Sequence, residues 1–188
     1  MRIETTLARH ISQAERKVAF DQSCKRLLSH KKILAWIMKQ CLREYQDEDV
    51  DQIAQKYIEG TPQISQTSIH MDEKVSEECS IKGMNTEDSS VEEGKISYDI
   101  YFSALTPEKY DMANVFINVE AQKDFYPGYP IIKRGIYYGG RMISRQYGTE
   151  FAHSHYEKLK KVYSIWICTN APKYRQNTIT SYSIVERN

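Results

Sequence analysis

The chain has 188 residues, 40% of them hydrophobic and 27% charged, with 26 basic and 25 acidic side chains. That is the length of one domain with enough apolar material for an ordinary core, and it excludes collagen-like and low-complexity chains. No apolar run approaches the ~20 residues that span a bilayer, so no membrane segment is expected.

The near-neutral total conceals a division along the chain. Residues 1–43 carry 10 basic and 3 acidic side chains, 44–93 carry 3 and 14, 94–132 carry 3 and 5, and 133–188 carry 10 and 3. Two cationic ends around an acidic middle permit a polyanionic partner without requiring one, because solvated helix faces produce similar counts. The opening MRIETTLARHISQAERK has no apolar signal core, and Cys24, Cys41, Cys79 and Cys168 form no close pair. A reducing, cytoplasmic setting is expected.

The first part is helical by period. Phe20, Cys24, Leu27 and Leu28 lie on one stripe, and Ile33, Leu34, Ile37, Met38, Cys41, Leu42 and Tyr45 on a second, for which Ser29 is the expected N-cap. Val50, Ile53, Ala54 and Tyr57 predict a third, short helix that Gly60 stops. Residues 61–93 turn polar and acidic and predict a loop, with at most one short strand near Ile64–Ile69.

From Lys95 the period changes to two. Ile96, Tyr98, Ile100 and Phe102 alternate with Ser97, Asp99 and Tyr101, and after a turn Val115, Ile117, Val119 and Ala121 alternate with Phe116, Asn118, Glu120 and Gln122. Two antiparallel strands are expected, each with a carboxylate on its less apolar face. Beyond DFYPGYP, residues 131–146 predict a helix with Ile132, Ile136, Gly139 and Ile143 as its apolar stripe, the glycines Gly139 and Gly140 allowing close packing. VYSIWIC, residues 162–168, is nearly continuously apolar, as in a strand covered on both faces. The order predicts an α/β fold with helices flanking a mixed sheet.

Asp99, Glu120 and Gln122 would then sit on neighbouring strands. Two carboxylates brought close repel each other and are costly to desolvate unless a cation lies between them. Mg²⁺ takes one or two carboxylates and accepts substrate phosphate oxygens, so the pair suits phosphodiester hydrolysis. The same pattern also arises where two acids face water at the edge of a half-exposed sheet. Arg134, Tyr138, Arg141 and Arg145 share one helix face, where guanidinium groups would meet a phosphate backbone or simply be solvated. Asp21 and Lys25, one helical turn apart, read as an i, i+4 ion pair. His153 and His155 have no further group at ligand spacing.

The stretches SYDIYFSA, INVEAQKDFYPGYP, KRGIYYGGRMISRQYG and KVYSIWIC, in that order, resemble the core of the PD-(D/E)XK nuclease superfamily in its transposase-like, recombination-promoting branch. The resemblance covers roughly residues 95–170 and, more weakly, FDQSCKRLLS. It implies a restriction-endonuclease-like core: a mixed central sheet flanked by helices, with an N-terminal helical segment. It also implies Mg²⁺-dependent hydrolysis of DNA, with Mn²⁺ as a substitute metal and a link to mobile elements or recombination. Asp99 and Glu120 match the catalytic, metal-holding acids, and Gln122 the water-positioning residue. Arg134, Tyr138 and Gln146 match the substrate-binding helix, to which Arg141 belongs by its spacing, and Asp21 matches a first-helix acid. The chain then forms a single nuclease-like domain: a helical part over 1–60, an acidic loop region over 61–94, the catalytic core over 95–170 and an extension over 171–188.

Gln122 stands where the commoner form of the motif has a lysine. A glutamine amide can hold water but cannot act as a base near neutral pH, and strand alternation turns Lys123 to the other face. Relatives of this type continue further, so the chain reads as a shortened core. A nuclease fold that only binds nucleic acid or protein, and a plain interaction domain, are the alternatives; a homo-oligomer is compatible with either.

Overall fold

The computed structural model describes residues 20–60, 62–64, 87–90, 94–107 and 113–185. The loop expected over 61–94 falls largely outside these, as does Cys79.

Helix α1 covers residues 20–28 and α2 Lys31–Cys41. His30, not Ser29, is the N-cap of α2, because Ser29 Oγ instead donates to the Arg26 carbonyl and closes α1. Helix α3, Val50–Gln52, starts at Asp49, whose carboxylate accepts the Asp51 and Gln52 N–H groups, and runs on as a π-turn over Ile53–Tyr57. Gly60 ends this region at φ 61°, a left-handed conformation that suits glycine.

A four-stranded sheet follows in the order β1 (Gln63–Ile64), β4 (Ile100–Leu105), β5 (Asn114–Asp124), β6 (Lys161–Asn170). Strand β4 is antiparallel to both its neighbours, β1 and β5, while β5 and β6 are parallel and joined through α4, Ile131–Ser144. Strands β2 (Glu87–Ser90) and β3 (Gly94–Ser97) form a separate hairpin, so Glu87 and Asp88 belong to a strand within the stretch expected to be loop.

Alternation along β5 sorts its side chains between two layers. Val115, Ile117 and Val119 enter a cluster with Leu34, Met38, Leu42 and Ile53 of the N-terminal helices. Phe116 faces the other way, into a smaller cluster with Tyr98, Tyr101, Tyr138 and Met142, so α4 covers the face that carries Asn118 and Glu120. The chain is thus a mixed α/β fold with helices on both faces of its sheet. Among the described residues no helix is long and apolar enough to cross a membrane.

Four further expectations are corrected. The isoleucine stripe of α4 faces outward: Ile136 is 67% exposed, whereas Tyr138, Arg141 and Met142 are buried. Gly139 and Gly140 border open space, and the close approach is instead at Gly135, where an added Cβ would lie 3.3 Å from Trp166 Nε1. On α1, Phe20 and Leu27 are exposed and Lys25 is buried. Strand β6 ends the order of the four-stranded sheet and is half-buried over Val162–Cys168, not covered on both faces throughout.

Candidate functional site

The first acid of the motif does not lie within a continuous strand. The backbone bends at Asp99, between β3 and β4, which brings Tyr98 and Tyr101 into stacking contact at 5.0 Å although regular alternation would set them on opposite faces. The last β4–β5 pair is Ile100 with Val119, and one residue further on two side chains replace the ladder. The Asp99 N–H donates to Glu120 Oε1 at 2.9 Å, and the Ala121 N–H donates to Asp99 Oδ2 at 2.9 Å. The two predicted acids are therefore neighbours, each held by the other's strand.

Glu120 is 3% exposed. Burial, and then the charge of Asp99, push its carboxyl up to about 8; the Asp99 N–H, Arg134 and Lys25 oppose the shift without cancelling it. On its other side Glu120 pairs in register with Trp166 of β6.

Arg134 leans over the site from α4. Its guanidinium lies 5.0 Å from the ring centres of both Tyr138 and Trp166 and donates to Tyr138 Oη at 2.8 Å. Tyr138 in turn packs at 5.5 Å against Tyr98 and 5.3 Å against Trp166. An aromatic wall thus fixes the cation near the carboxylates at little cost in side-chain freedom.

The remaining arginines of that face are engaged by aromatic side chains. Arg141 is buried and donates to Tyr137 Oη, while Arg145 lies over the Tyr101 ring. Gln146 is likewise committed: its amide accepts the Lys160 N–H at 2.7 Å and donates to the Lys160 carbonyl at 3.0 Å, clamping the end of α4 to the start of β6. Gln122 donates to the Asp124 carbonyl at 2.9 Å, near the exposed end of β5. His155 pairs with Glu157 on the surface.

The residue that the sequence left as half of an ordinary ion pair is Lys25. It is 7% exposed, and its ammonium lies 2.8 Å from Asp21 Oδ2 and 3.0 Å from Asp99 Oδ1. Burial disfavours this charge, but Asp21 and Asp99 outweigh it and hold the lysine above its usual range. The spacing of Asp21 and Lys25 was the visible signal; that the lysine turns inward was not.

The donor set tests which ion would fit. Asp99 and Glu120 offer carboxylate oxygens only, and among the described residues no three His, Cys, Asp or Glu side chains converge. Two hard donors suit a small divalent cation that keeps water and substrate oxygens in its other positions, and do not suit a soft metal. Compared with family models, with curated proteins and with solved structures, the chain has no match.

Proposed function

We propose that the chain is a nuclease-like hydrolase that cleaves DNA phosphodiesters with Mg²⁺, or Mn²⁺ in its place. The observation that carries this reading is the pairing of the buried Glu120 carboxyl with Asp99, an arrangement whose repulsion and desolvation cost a divalent cation relieves. The order of elements adds support: an Asp before one strand, Glu-x-Gln on the next, a helix bearing Arg134 and Tyr138, then an apolar strand.

Asp99 and Glu120 would hold the ion, which when bound supplies charge neutralisation at the scissile phosphate and activation of water. Arg134, held on Tyr138 and Trp166, donates to a phosphate oxygen as negative charge builds in the transition state. Gln122 keeps its amide oxygen for orienting the attacking water, its nitrogen being held by Asp124. Water oxygen bonds to phosphorus, the P–O bond to the leaving sugar breaks, and that oxygen takes a proton.

The second reading is a fold of this type that binds nucleic acid or protein without cleaving. Lys25 favours it, since the ammonium already neutralises Asp99. Nicking of supercoiled DNA in Mg²⁺ and Mn²⁺, measured for the native chain, Asp99→Asn and Glu120→Gln, separates the two. Cleavage lost in both variants supports the hydrolase, whereas binding without cleavage in the native chain supports the module.

A further inference from the structure

Resting on the cation reading above, we propose that Lys25 is the positioning residue of this site: from α1 its ammonium holds Asp99 in place and competes with the divalent cation for that carboxylate.

Asp99 Oδ2 is anchored on the Ala121 N–H, so Oδ1 is the oxygen left to face a cation, and Lys25 already lies on it at 3.0 Å. The same ammonium has a second resting place. Asp21 Oδ2, one turn earlier on the same helix, is 2.8 Å away, and the Asp21 side chain is 47% exposed. Lysine is a point charge on a flexible stem, so it can leave Asp99 for Asp21 without either partner being stranded in an apolar setting. Its stem is buried, which keeps that movement short.

The charges explain why such a counter-ion is present. Asp21, Asp99 and Glu120 face Lys25 and Arg134, the latter from α4 across the sheet. Without the lysine, Asp99 would sit beside the buried Glu120 carboxyl without the counter-charge that now lies on its Oδ1, and the bend that joins the two acids would carry more of their repulsion. With it, the acids are preorganised before an ion arrives, at the cost of affinity for that ion. The trade differs from a purely structural role, which would leave cation affinity unchanged or lower once the lysine is removed.

Mn²⁺ binding to the full chain, followed by calorimetry, tests this. Lys25→Met should bind Mn²⁺ roughly tenfold tighter than the native chain, because a repelling unit charge a few ångströms away is gone. Lys25→Gln, which keeps a hydrogen bond to Asp99 and so protects folding if the methionine variant unfolds, should show the same direction. Lys25→Arg retains the charge and should stay within about threefold of the native value. Folded Lys25→Met or Lys25→Gln with equal or weaker Mn²⁺ affinity overturns the role of Lys25, while a native signal that disappears in Glu120→Gln leaves the cation reading standing. Absence of Mn²⁺ binding in the native chain and in every Lys25 variant overturns both.

Discussion

The Asp99 backbone N–H bonds the Glu120 carboxylate while the Asp99 carboxylate bonds the next N–H on the strand of Glu120. Two side chains thereby continue a ladder that the backbone has abandoned. The bend takes Asp99 out of strand alternation and brings it against Glu120, while the β5–β6 ladder continues past Glu120 through Ala121 and Gln122.

Glu120 makes stability depend on pH. Its carboxyl sits at about 8 in the folded chain against an ordinary 4.5, so between these values the folded state holds the extra proton. Its contribution is complete below the ordinary value and is lost as pH rises through the folded one. Glu120→Gln stays neutral, so its melting temperature in metal-free buffer should exceed the native one by several degrees at alkaline pH and match it at acidic pH. Thermal unfolding at both ends of the range checks this, and an equal difference at both would refute it.

A cation that takes the Glu120 carboxylate must expel its proton. Mn²⁺ titrated at neutral pH in two buffers of different ionisation enthalpy should release about one proton per ion, and far less at a pH above the Glu120 value. Release that does not change with pH would place the ion elsewhere.

Arg134 and Arg145 share a helix face but not a distance from the acids. Arg134→Ala should weaken DNA binding in Ca²⁺, which permits binding without turnover, and reduce the salt slope by about one. Arg145 lies ~16 Å further along the helix at 1.5 Å per residue, so Arg145→Ala should matter less. Fluorescence anisotropy at several salt concentrations measures both. Equal small losses would indicate a diffuse cationic surface.

Gln146 is expected to act through stability alone. Gln146→Leu leaves the Lys160 N–H and carbonyl without their partner and should cost about 2–4 kcal/mol in urea unfolding. Mn²⁺ affinity of the folded variant should be unaltered. A selective loss of DNA binding would instead restore Gln146 to the substrate-binding set.

The glycines of α4 should separate by environment. Gly139→Ala enters open space and gains about 0.5–1 kcal/mol of helix propensity. At Gly135 the same methyl meets Trp166, so the gain should vanish and the Trp166 fluorescence should shift. Denaturant melts of the two variants compare them directly.

Periodicity alone determined α2 and β5, because Leu34 and Met38 on one and Val115, Ile117 and Val119 on the other have a single layer in which to bury, but it ran one strand through Asp99 where the chain bends between β3 and β4. It also established that residues 131–144 form a helix, but not which side turns inward. Isoleucines gave the stronger stripe, yet Tyr138, Arg141 and Met142 are the buried set. Tyrosine and arginine bury rings and stems while their polar tips find partners, so hydropathy understates how readily they face a core. The bend at Asp99 and the inward turn of Lys25 belong to tertiary structure for a related reason. Each depends on a group distant in the chain, Glu120 for the first and Asp99 for the second, and a charge is buried only where its partner already waits.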